Sequence, residues 1–105
     1  MLNIIEKISA AQEFEAGYGA YKNCRRVQEL WVHIDHYFKI AKHELQLIKK
    51  ACPVAYAEAN TYFRSELFYL RNITAKPWEF DQALRELARA RVVALVLREK
   101  REEVY

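Results

Sequence analysis

VQELWVHIDHYFKIAKHELQLIKK, residues 27–50, is the stretch that decides the fold. Its 24 residues contain no Gly or Pro. Val27, Trp31, Ile34, Phe38, Ala41, Leu45 and Ile48 recur at alternating spacings of four and three, the pattern of a helix buried along one seam. A long amphipathic helix of this kind needs other helices to cover the seam, so the rest of the chain is read as a bundle built on it.

Composition agrees with that reading. The 105 residues suit one domain, and 52% hydrophobic with 30% charged residues is the balance of a folded globular chain. Gly and Pro number only 2 each, too few for the many tight turns of an all-β fold. The longest apolar run, Val92–Leu97, is six residues and falls far short of the roughly 20 that span a bilayer. With no leader-like N-terminus and with two cysteines, Cys24 and Cys52, outside any CxxC spacing, the expected setting is the cytoplasm.

Outward from the central stretch, the boundaries follow local chemistry. Asn3 followed by Glu6 resembles a capping box, so helix 1 is expected to begin there. Gly17 and Gly19 either end it or let another helix approach; the reading taken is a turn, with helix 2 running from Ala20 to Ala51. Pro53 suits the first turn of helix 3, expected over 53–72, with Tyr56, Ala59, Phe63, Leu67 and Leu70 inward and Phe68 pointing away. The segment ending at Pro77 breaks the pattern, and helix 4 is expected from there. Its seam is Phe80, Ala83, Leu84, Leu87, Ala90 and Ala94, with Arg91 and Arg98 falling on the same line, and its tail, Arg98–Tyr105, is expected to fray. The fold expected is an all-α, small antiparallel helical bundle of three long helices and a shorter N-terminal one.

Function is less legible. Val92, Val93, Val96 and Leu97 belong to a run that is apolar all round, which a small bundle covers on one side only, so these residues are candidates for a protein interface. Phe68 joins them. On the far face of helix 2, Ile40, Leu47 and Val32 lie among His33, His36 and His43, so Ile40, Leu47 and His36 are further interface candidates, and histidine would make such a contact pH-sensitive. Glu29, His33 and His36 share that face at metal-ligand spacing, yet one helix face rarely completes a coordination shell, and no metal or other cofactor is expected. A solvated face that includes histidines accounts for the same residues.

Arg85, Arg89, Arg91 and Arg98 are the best basic set for tracking phosphates, but Glu86, Glu99, Glu102 and Glu103 lie among them, as on a salt-bridged solvent face. The net charge of +3 is too small to decide between these. Arg26 and His33, with six residues between them, resemble the Arg-x(4–6)-His spacing of the HEPN ribonucleases, which are also helical bundles. Those proteins carry a polar residue directly after the Arg, whereas Val27 stands here, and no activity is carried over. No catalytic residues are assigned. The function expected is that of a small, non-enzymatic interaction or regulatory protein that self-associates or docks on a larger protein. A nucleic-acid-binding accessory protein is the alternative, and a HEPN-like ribonuclease is third. No membrane or small-molecule partner is expected.

Overall fold

The computed structural model describes residues 4–67 and 79–105, with burial and side chains described from residue 12 onward. Four α-helices make up nearly all of it: α1 (Ile4–Tyr21), α2 (Val27–Ala51), α3 (Pro53–Glu66) and α4 (Phe80–Val104). The all-α bundle is therefore as the periodicity predicts. No helix among the described residues is long and apolar enough to cross a membrane.

The largest interface joins α2 to α4, two helices of 25 residues. They run parallel. Leu30 and Ile34 cluster with Ala83, Leu84 and Leu87 at the N-terminal end, while Ala41, Leu45 and Ile48 cluster with Ala90, Val93, Ala94 and Leu97 towards the other. The connections set the remaining directions. α3 returns antiparallel to α2 and adds Ala55, Ala59, Phe63 and Leu67 to the second cluster, while α1 lies against α4. Glu13 meets Arg91 and Tyr18 meets Asp81, so α1 runs antiparallel to α4. Alanines at 55, 59, 83, 88, 90 and 94 keep the contact surfaces shallow and let the helices pack closely.

Several boundaries differ from expectation, each for a physical reason. α1 runs through both glycines, neither of which has a positive φ. At Gly17 the reason is close approach: an added Cβ would lie 3.2 Å from Arg91 Cδ and 3.6 Å from Ala88 Cα, whereas at Gly19 it would meet nothing within 4 Å. The reversal comes instead at residues 22–26, where the Cys24 amide donates to the Tyr21 carbonyl at 3.1 Å. α2 and α3 are joined by Cys52 alone, extended (φ −156°) as the residue before a proline prefers to be. α3 stops at Glu66 rather than Asn72, so among the described helices it is α3, with 14 residues, and not α1, with 18, that is shortest. The tail does not fray. α4 continues to Val104, because Arg101 reaches the buried Glu44 and the Tyr105 hydroxyl donates to the Leu47 carbonyl at 3.4 Å. The Asn3 cap, Phe68, Leu70 and the Pro77 start lie outside the described residues.

The two glycines give opposite expectations in thermal unfolding. Gly19→Ala should stabilise by about 0.5–1 kcal/mol, because it removes a flexible residue from a helix with open space beside it. Gly17→Leu should destabilise by about 1–3 kcal/mol, since its side chain must displace Arg91 or push α1 off α4.

Candidate functional site

α4 is enclosed by α1, α2 and α3, and this relocates most of the residues expected to work at the surface. Val93 and Leu97 are 0% and 1% exposed within the cluster shared with α2 and α3, and Val92 is also buried. The cover that an apolar run demands is thus supplied within the chain, which corrects the expectation of a surface at these three positions. Val96 is half-buried.

The arginines are mostly committed to carboxylates. Arg85 pairs with Asp81 at 3.1 Å, and Arg89 lies 3.7 Å from Glu86. Arg91, which falls on the apolar seam, turns to α1: its Nη1 donates to both the Glu13 carbonyl at 3.0 Å and Glu13 Oε2 at 2.8 Å. Arg98 is exposed. One turn on, Arg101 donates to Glu44, a carboxylate only 5% exposed on α2. Arg91 and Arg101 therefore pin α4 to α1 and α2. Glu86 is the other buried carboxylate; burial pushes its carboxyl up from the ordinary range, and its Oε2 meets no partner among the described residues.

The histidines separate. His33 is half-buried, its ring 4.9 Å from that of Tyr21 on α1, while His36 and His43 are exposed. Glu29 is drawn elsewhere and accepts from the Arg25 backbone amide at 3.1 Å, closing the start of α2. Among the described residues no group of three or more His, Cys, Asp or Glu is placed to hold a metal ion. Arg26 stands at the N-cap of α2, exposed, so the Arg26 and His33 pair does not lie on one continuous helix.

What remains on the outside of α2 is a second stripe at four and three spacing: Val32, His36, Ile40, His43 and Leu47. Val32 is 68% exposed, and Ile40 and Leu47 are half-buried at the stripe's inner edge. Tyr105, 70% exposed, adds its ring at the far end, held there by its bond to Leu47. Sequence patterning found the α2 members of this stripe but missed Tyr105, because the last residue of a charged tail carries no periodic signal.

At the opposite end a polar aromatic cluster ties α1 to both α2 and α4. The hydroxyls of Tyr21 and Tyr37 lie 3.1 Å apart, and Tyr18 donates to Asp81 at 2.8 Å. The hydrogen bond to Tyr37, helped by burial, pushes Tyr21 up to about 12. No family model, no curated protein and no solved structure matches the chain.

Tyr21 sets a measurable pH window. The folded chain holds its phenolic proton more tightly than the unfolded chain, so its contribution is whole below about pH 10 and is lost as pH rises towards 12. Ultraviolet titration of tyrosinate should show Tyr21 among the late-titrating hydroxyls, beside Tyr62, which burial also pushes up, and in Tyr37→Phe the Tyr21 step alone should move to lower pH. An unchanged titration in that variant would mean that the pair is not formed.

Proposed function

We propose that the protein is a small, non-enzymatic interaction protein that self-associates, or docks on a larger protein, through the outer stripe of α2. The observation that supports this is the second periodic stripe itself. Ile40 packs against the edge of the core, but a helix whose inner seam is already satisfied by α3 and α4 has no structural need for Val32 and Leu47 on its outside. Two exposed imidazoles and an exposed tyrosine ring complete a surface of mixed apolar and polar character, the composition of a non-obligate interface. The exposed strip of α4 offers less to a nucleic acid, because Arg85 and Arg89 already face Asp81 and Glu86. Three of the four arginines expected to meet phosphates are paired within the chain.

Light scattering after size exclusion tests the proposal, with absorbance at 260 and 280 nm read on the same peak. The expected result is a concentration-dependent species larger than a monomer and free of nucleic acid. Leu47→Glu should weaken that association at least tenfold while leaving the unfolding temperature within a few degrees, since Leu47 lies at the edge of the core. A strict monomer at millimolar concentration that also captures no protein partner would contradict the proposal. A species rich in absorbance at 260 nm that salt strips would instead favour phosphate binding at Arg85 and Arg89.

A further inference from the structure

The outer stripe of α2 has a property that its periodicity does not require: it reads the same in both directions. Val32, His36, Ile40, His43 and Leu47 run apolar, imidazole, apolar, imidazole, apolar. Val32 and Leu47 are equidistant from a point between Lys39 and Ile40, and so are His36 and His43. Charge extends the pattern at the two ends. Glu29 and Lys50 are exposed, opposite in sign and equidistant from that same point, and at about 100° per residue both fall within the stripe's sector of the helix. Glu29 also accepts from the Arg25 amide, which holds its carboxylate at this end of the stripe.

A partner of unrelated sequence makes no use of such a palindrome, whereas a two-fold axis uses it directly. In an isologous interface residue i of one copy meets residue j of the other, and j meets i. The charges then choose between the two directions. Parallel α2 helices would oppose Glu29 to Glu29 and Lys50 to Lys50, like charge on like at both ends. Antiparallel helices bring Glu29 of each copy to Lys50 of the other and set apolar residues on apolar ones between them.

We infer that the chain pairs with a second copy of itself through antiparallel α2 helices, with the two-fold axis passing between Lys39 and Ile40. Val32 of each copy then faces Leu47 of the other, His36 faces His43, and the two Ile40 side chains meet beside the axis. Lys39 is exposed on the solvent side of Ile40 and keeps its ammonium in water. The Tyr105 ring, bound to the Leu47 carbonyl, widens each end of the contact. Residues 29–50 of one helix span only about 32 Å at 1.5 Å per residue, so the pair is small and its formation depends on concentration. The inference rests on the stripe being an interface and narrows its occupant to a second copy in one register.

Mixing variants of the full chain tests the register, read by sedimentation equilibrium at low salt. Val32→Lys and Leu47→Glu, each alone, weaken the dimer by about tenfold or more, because every end of the pair then sets a charge on an apolar side chain. Mixed in equal amounts they form a dimer with a Lys–Glu pair at one end and the original Val–Leu contact at the other. A mixture of Val32→Lys with Leu47→Lys forms the same dimer with two lysines opposed. The opposite-charge mixture associates about fivefold or more tightly than the like-charge one, and raised salt shrinks the difference. Equal association of the two mixtures, in a chain whose dimer Leu47→Glu does weaken, overturns the antiparallel register while leaving association through α2 standing. A dimer that neither single variant weakens overturns the register and the α2 interface together. A parent chain that stays monomeric at millimolar concentration overturns the inference and leaves docking on a larger protein as the remaining use of the stripe.

Discussion

Enclosing α4 is the constraint on which the rest of the structure depends. Ten of its 25 residues are buried, spread around almost the whole circumference, so the helix is stable only with neighbours on several sides. α2 takes the broadest contact and, because the chain alternates direction at each connection, lies parallel to it. α3 covers Val93 and Leu97, and α1 takes the side marked by Ala88 and Arg91. Small residues at each crossing make this possible within 105 residues, where larger side chains would hold the helices apart. Two ion pairs, Arg91 with Glu13 and Arg101 with Glu44, then fix the angular setting of α4 against α1 and α2. Glu44 is the more demanding of the two carboxylates, since its burial leaves it dependent on Arg101.

The sequence made some of this legible and hid the rest for identifiable reasons. The α2 seam is nearly as the periodicity predicts, with Ile34, Ala41, Leu45 and Ile48 buried, because a 25-residue amphipathic helix leaves little freedom in its orientation. Its N-terminal end is rotated: Leu30 is fully buried while Val27 and Trp31 are half-buried, since α1 brings Tyr18 and Tyr21 to that side. That rotation depends on a tertiary contact and has no local signature. Gly17 was ambiguous in sequence between a turn and a close approach, and only the position of Arg91 and Ala88 decides it. Arg91 on an apolar seam was the visible trace of an ion pair whose partner, Glu13, lies 78 residues away.

The candidate surface divides in the same way. That Ile40, Leu47 and His36 share one side of α2 was legible because the outer stripe is as periodic as the inner one. Val92, Val93 and Leu97 were misread because an all-round apolar helix looks the same whether its second cover comes from a partner or from its own chain. The distinction lies in how many of the other helices reach it, which composition does not encode. In α1 the two glycines suit a turn as well as a close approach, and its docking on Ala88 and Arg91 decides between them.

Native-state hydrogen exchange tests most directly the claim that α2 and α4 form the framework and that α1 is added to it. The account predicts that amides of α2 and α4 around Ile34, Leu45, Leu87 and Val93 exchange only through global unfolding. Amides of α1 over residues 12–21 should exchange through a smaller opening, with a lower free energy and a weaker dependence on denaturant. Exchange of α1 at the global free energy, with the same denaturant dependence as α4, would contradict it.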